Sequence, residues 1–290
     1  MLAGIVLYNP DVNRLRENID AILPQVKKLV LVDNGSQNIE TVMKKFRGLD
    51  AIETISFGRN LGIAAAQNKI CAMAKLYNCD WAITLDQDSI VPPNLVEEYK
   101  KIINEPDVGM VCPRVVDRNF GEIDDGAKHC GVESVSQCIA SASAIRISAW
   151  ESVGGFYEPL FIDKVDFDIC WSLQEHGYKI LKTNAVEMLH EVGHGCVKYF
   201  WGKNRLILNH SPMRYYYMMR NAFIVGRRHH RLLRDLRMNL RLIYQVNVYE
   251  TNRFQKNKMI LIGLIHGLFG RTGKYGKYYK HSDFYYNAGV

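Results

Sequence analysis

Five short apolar runs, separated by helical patterns, occupy the first 117 residues and limit what the chain can fold into. "AGIVLYN" (3–9), "KLVLVDN" (28–34), "IETISF" (52–57), "WAITLDQD" (81–88) and "VGMVCPRVVD" (108–117) each read as a strand. Between them lie "DVNRLRENIDAIL" (11–23), "IETVMKKF", "NLGIAAAQNKICAMAKLYN" (60–78) and "PNLVEEYKKIIN". In the first of these, Val12, Leu15, Ile19, Ile22 and Leu23 recur at helical spacing behind Asp11, a candidate cap. A strand brought back by a crossover helix lies parallel to its predecessor. The alternation therefore predicts an α/β fold with a mainly parallel sheet and helices on both faces.

Ligands of such sheets bind beyond the carboxyl ends of the strands. That rule collects Tyr8 and Asn9, Asp33 and Asn34, Gly58 to Asn60, and Asp86 to Asp88 at one rim. Asp86 and Asp88 stand in "TLDQDSIVPP" (84–93), at the exit of the strand. Alternate residues of a strand share a face, so two acids so placed repel unless a cation sits between them. Oxygen ligands of this kind suit Mg²⁺ or Mn²⁺. A solvated acidic turn is the plainer reading of the pair alone.

After residue 118 the alternation weakens. "DRNFGEIDDGAKHCGVESV" reads as a loop or hairpin excursion, and "CIASASAIRISAWESVGGF" as a small-residue segment with a Gly pair. "DFDICWSLQEHGYKI" reads as a helix ended by Gly177, then a strand.

Five ordered stretches carry a family resemblance: "LVDNGS", "GRNLGIAAAQN", "LDQDS", "VGGFYEPLFIDKVDFDICWSL" and "LHEVGHG". Over roughly residues 3 to 225 the chain resembles the large inverting nucleotide-sugar glycosyltransferase family, family 2, with the GT-A fold. The wording is closest to bacterial rhamnosyltransferases of surface-polysaccharide synthesis. The resemblance implies a donor, a dTDP- or UDP-sugar, and a saccharide acceptor, lipid-linked at the inner face of the membrane. It implies that Asp33 accepts the imide N–H of uracil or thymine and that Tyr8 packs on the base. Arg59 and Asn60 would contact the nucleotide or its diphosphate, at a helix N-terminus that favours anions. Asp88 resembles the metal ligand, Asp86 its neighbour supporting ribose or metal, and His190 a second metal ligand, with His194 as its substitute.

An inverting transfer needs a base for the acceptor hydroxyl. The family's base aligns with Asp166 in "DKVDFDIC", although Val165 stands where many relatives carry an acid. At the start of a helix, Asp166 would be kept ionised. Asp163 is the reserve, and Asp168 reads as a helix cap.

Charge divides the chain. From Ser211 onward 15 Lys+Arg face 3 Asp+Glu, giving +12; the remainder holds 22 against 27, giving −5, and together they make the overall +7. Phe223, Ile224, Leu232, Leu233, Leu236, Leu240 and Ile243 interleave with the arginines. We therefore expect a catalytic domain at 1–213 and a basic amphipathic helical extension at 214–290. The extension would meet an anionic membrane surface, with a lid packed on the catalytic domain as the plainer reading. No nucleic-acid motif accompanies the charge.

"MLAGIVLYNPD" does not read as a leader, and no apolar run reaches spanning length. Seven cysteines without a CxxC pair read as reduced core thiols in a cytosolic protein, not a zinc site. Two other classes compete. "WAITLDQDSI" approaches the acid motif of haloacid-dehalogenase-type phosphatases, although those usually open on that strand. A non-enzymatic membrane adaptor would leave the polar rim unexplained.

Overall fold

The computed structural model describes residues 1–46, 48–117, 121–122, 131–190, 196–200, 203–207 and 209–276. The chain divides into two compact units, Met1–Tyr157 with Ile169–Glu191, and Glu158–Asp168 with Val192–Val290.

The first unit follows the expected alternation: β1 (Leu2–Leu7), α1 (Val12–Ile22), β2 (Leu29–Asp33), α2 (Ile39–Phe46), β3 (Ile52–Ser56), α3 (Ile63–Leu76), β4 (Trp81–Asp86), α4 (Leu95–Ile102) and β5 (Val108–Asp117). Asp11 caps α1 as expected, its Oδ1 accepting from the Asn13 and Arg14 N–H groups at 2.9 and 3.0 Å. The helix buries Leu15, Asn18, Ile19 and Ile22, one stripe of its surface. There follow β6 (Gly121–Glu122), β7 (Val132–Ser134), β8 (Ser143–Arg146), α5 (Ile147–Ser152), α6 (Val165–Glu175), whose first turn belongs to the second unit, and β9 (Lys179–His190).

Among the described residues these strands form one sheet, in the order β3-β2-β1-β4-β8-β5-β9-β7, with β6 on β5. β1 to β4 are mutually parallel, as is the pair β5 and β9. β8 runs antiparallel to both β4 and β5. Two reversals restore direction, so β5 and β9 point the same way as β1 to β4. The sequence reading missed β8. It is short, and its Ala144 and neighbouring Ala142 are fully buried. Small side chains suit a narrow place in mid-sheet but send no strand signal. Buried aliphatic residues such as Ile5, Leu7, Leu31, Ile83 and Val111 belong to the unit's main core.

In the second unit, β10 (Cys196–Phe200) and β11 (Lys203–Ile207) pair antiparallel. Three helices follow, α7 (Pro212–Arg228), α8 (Leu232–Tyr249) and α9 (Arg253–Leu268). Ser211 caps α7 and Pro212 opens it, where a missing N–H costs nothing. Tyr215, Met219, Phe223, Val246 and Ile260 form the core. A Cβ on Gly263 would run into the Tyr216 carbonyl, so α9 lies close on α7 only because that position is glycine.

The apolar residues of this basic segment do not share one environment. Phe223 and Ile224 are buried, whereas Leu233 and Leu240 are exposed. Some of the basic side chains are engaged within the unit. Arg220 is fully buried, Lys256 pairs with Glu250 at 2.8 Å, and Arg214 pairs with Asp163 at 3.0 Å. Among the described residues Cys71, Cys79, Cys112, Cys138 and Cys170 are free thiols. Cys130 lies outside the described residues.

Candidate active site

Parallel pairing delivers the predicted rim. In register, Leu7 pairs with Asp33 and Asp33 with Ser56, while Val6 pairs with Asp86. The ends of β1 to β4 thus share one edge. Asp33 is 1% exposed. Its Oδ1 accepts from the Ser36 N–H at 2.8 Å and its Oδ2 from the Ser56 hydroxyl at 2.6 Å. Asn34 Oδ1 accepts from the Leu61 N–H at 2.8 Å. Gly35 has φ 85°, and a Cβ there would come within 2.5 Å of Arg59 C and 2.7 Å of Asn60 N. The segment 59–61, leading into α3, is therefore seated on β2's exit turn. Tyr8 is 49% exposed, and its N–H donates to Gln87 Oε1 at 2.8 Å.

Asp33 is thus a tie between two strand exits. Asp33→Ala leaves a buried amide and a hydroxyl without their acceptor, at roughly 1–3 kcal/mol for such a group. We expect a lower urea midpoint at unchanged slope, together with weaker thymidine or uridine nucleotide binding. A wild-type midpoint would show that the tie contributes nothing.

The acid pair differs from the expectation. β4 ends at Asp86, and Gln87 and Asp88 form the turn beyond it. Strand alternation therefore does not set Asp88's direction; the early end of the strand overrides it. Two contacts anchor the exit. The Asp86 N–H donates to Ser141 Oγ at 3.1 Å, and its carbonyl accepts from Asn18 Nδ2 at 2.7 Å. Ser89 Oγ lies 2.7 Å from Ser141 Oγ. Asn18 and Ser141 escaped the sequence reading. Asn18 carried a signal: a polar residue on the apolar stripe of α1.

His190 ends β9, its backbone paired with Asp117, at the same edge of the sheet; its side chain and His194 lie outside the described residues. Among those residues no group of three or more His, Cys, Asp or Glu converges. The donors at hand, the Asp86 and Asp88 carboxylates, are hard oxygens. One or two carboxylates completed by substrate phosphates is the set that suits Mg²⁺ or Mn²⁺, so these residues fit the implied metal.

The three acids preceding and opening α6 lie in the second unit. Asp163 Oδ2 is 3.0 Å from Arg214 Nε. His210, held below the usual histidine range by burial and then by the Arg214 charge, is neutral near neutral pH. Asp168 is not a cap. Its N–H donates within the helix to the Lys164 carbonyl at 2.9 Å, and its buried Oδ1 lies 2.9 Å from His229 Nε2 and 3.1 Å from Arg228 Nε. Asp166 is half-buried in the first turn of α6, where the helix dipole favours a carboxylate. The approach to it is unusual. Phe161, Asp163 and Lys164 all have positive φ, 65°, 72° and 62°. Asn221 Nδ2 lies 2.7 Å from the Ile162 carbonyl and 2.9 Å from that of Asp163. The adjacent Arg220 donates to the Leu160 carbonyl at 2.7 Å.

Known proteins share the fold of this chain. The model of "Glycosyl transferase family 2" matches residues 3–152. The chain is 29% identical over 289 residues to the dTDP-rhamnosyl transferase RfbF of Shigella flexneri, covering 93% of this chain and 96% of that one. Among solved structures, the mannosyltransferase PcManGT of Pyrobaculum calidifontis, in complex with GDP-Man and Mn²⁺, superimposes with TM-score 0.59 at 12% identity, over 92% of this chain and 86% of that one. S. aureus TarS 1–349 gives TM-score 0.54 at 11% identity over 92% and 71%. The likeness to these structures shows the GT-A-type fold. The phosphatase and adaptor readings find no support among these relatives.

Proposed function

The chain belongs to glycosyl transferase family 2, and from that premise we propose that it is a metal-dependent inverting rhamnosyltransferase. It moves L-rhamnose from dTDP-rhamnose to a lipid-linked saccharide in cell-surface polysaccharide synthesis. The observation that carries the donor is the near full-length similarity to a dTDP-rhamnosyl transferase.

Each role has a physical basis. The rim of β1 to β4 takes the nucleotide. Tyr8 offers an exposed ring to the base, Asp33 reads its imide N–H, and Arg59 and Asn60 meet the ribose or diphosphate at the start of α3. Asp88, with Asp86 and His190, would hold the cation. Mn²⁺ or Mg²⁺, when bound, supplies a Lewis acid against charge on the leaving diphosphate. Asp166 takes the proton from the acceptor hydroxyl as that oxygen attacks the anomeric carbon; the C–O bond to the diphosphate breaks and the configuration inverts.

No described helix is long and apolar enough to cross a membrane. Residues 1–213 act as the catalytic domain. The extension 214–290 docks on the anionic inner face of the cell membrane, where the lipid-linked acceptor resides, so the protein works from the cytoplasm as a peripheral enzyme.

Calorimetry with dTDP-rhamnose against UDP-glucose and UDP-galactose, with and without Mn²⁺, tests the donor and metal together. dTDP-rhamnose should bind tightest, and only with the ion. Asp88→Ala should remove the ion's effect. Equal affinity with and without Mn²⁺ would sink the metal assignment, and tighter binding of a UDP-sugar would sink the donor.

A further inference from the structure

The corner between α7 and α8 is tightly built. The Arg231 N–H donates to the Gly226 carbonyl at 2.8 Å. A Cβ on Gly226 would come within 2.9 Å of Leu232 Cα, so glycine lets α8 begin this close to α7. His230 turns the chain with φ 55°. The corner opens into a cavity of about 680 Å³ whose lining includes Arg227, His230, Arg231 and Arg234, with Leu232 and Leu233 beside them. No lining residue is acidic. A carbonyl, that of Leu268, fixes Arg227 Nη1 at 3.0 Å. Asp235, the acid of α8, is buried and lies 3.4 Å from Lys164 Nζ.

The helix that leaves this corner carries an apolar stripe. Leu233, Leu240 and Tyr244 are 78%, 65% and 57% exposed, at spacings that share one side of α8. Arg237 and Arg241 are exposed among them. A cationic cavity leading onto an apolar, arginine-studded helix face complements a molecule with an anionic head and a hydrocarbon chain. Guanidinium groups hold phosphate oxygens in paired hydrogen bonds, and such a face settles at the acyl boundary. We infer that this cavity binds the terminal phosphate or diphosphate of a membrane lipid. The site presupposes the membrane docking proposed above and gives it a specific contact, since a diffuse basic surface senses only charge density.

That difference is measurable. Neutral vesicles are doped either with phosphatidic acid, which exposes a terminal phosphate, or with phosphatidylserine, adjusted to the same surface potential. The full chain should sediment with the first about tenfold more tightly, because only a terminal phosphate offers the cavity arginines paired, charge-assisted hydrogen bonds. Arg231→Ala with Arg234→Ala should abolish the preference. Arg237→Ala with Arg241→Ala, an equal loss of charge on the same helix, should weaken both bindings and keep their ratio. Arg231→Lys with Arg234→Lys should retain part of it, and unchanged donor affinity reports that each variant is folded. Equal binding of the wild type to both vesicles, or a preference that survives in Arg231→Ala with Arg234→Ala, overturns the site and leaves membrane docking intact. No vesicle binding at all overturns both. Binding of free pyrophosphate as tight as that of the vesicles assigns the cavity to a soluble anion and overturns the lipid.

Discussion

Asp166→Asn is expected to keep the donor bound and nearly stop transfer. The substitution preserves size and hydrogen bonding but removes the carboxylate proposed to take the acceptor proton. Turnover should fall on the order of 10² to 10⁴, the usual worth of a general base. Donor affinity in calorimetry should hardly change, because the proposed role of Asp166 concerns the acceptor hydroxyl and not the nucleotide. The neighbouring acids are controls with distinct outcomes. Asp163→Asn breaks the pair with Arg214. Asp168→Asn leaves His229 and Arg228 without their shared carboxylate, so it should mainly lower stability. If Asp163→Asn is dead and Asp166→Asn is active, the base is three residues earlier. If all three transfer normally, the inverting mechanism placed in this segment fails.

Arg220→Ala should be the most destabilising single change we foresee, at about 3–5 kcal/mol. The guanidinium is fully buried. It donates to the Gly273 carbonyl at 2.5 Å, the Leu160 carbonyl at 2.7 Å and Asn221 Oδ1 at 2.8 Å. It also sits 4.8 Å from the Tyr217 ring centroid, within cation–π range. Truncation removes these contacts and leaves two buried carbonyls without that donor. The same contacts clamp the left-handed turn that leads to Asp166, so the folded fraction should also turn over more slowly. Urea denaturation followed by fluorescence reads the first effect, and the rate per folded molecule the second. Arg220→Lys keeps a charge but cannot span both carbonyls, and should fall between. A midpoint within 1 kcal/mol of wild type would show that this network does not hold the turn.

What the sequence disclosed follows a physical division. β1 to β4 and their helices were legible because each is a local pattern: a buried run, a 3.6-residue stripe, a cap at Asp11. Their common rim followed from parallel pairing, and with it the clustering of Tyr8, Asp33, Asn60 and Asp86. Three features were not legible, because they depend on contacts distant in sequence. β8 is only four residues long, and its Ser143 and Ala144 are buried between two flanking strands. Asp88 leaves the strand because β4 stops at Asp86. Asp168 looked like a cap because it stands near a helix start, yet its partners arrive some sixty residues later, on Arg228 and His229. The net charge of the basic tail is likewise a sum, and it does not show that Arg220 and Lys256 are buried.

The central claim is inverting transfer of rhamnose, and one product analysis tests it directly. The purified chain is incubated with Mn²⁺, dTDP-rhamnose of defined anomeric configuration and a lipid-linked or synthetic saccharide acceptor, with UDP-glucose and UDP-galactose as competing donors. The product's anomeric carbon is then read by NMR. We expect a rhamnosyl product of configuration opposite to the donor. A product of retained configuration, or transfer of glucose or galactose in preference to rhamnose, would contradict the account.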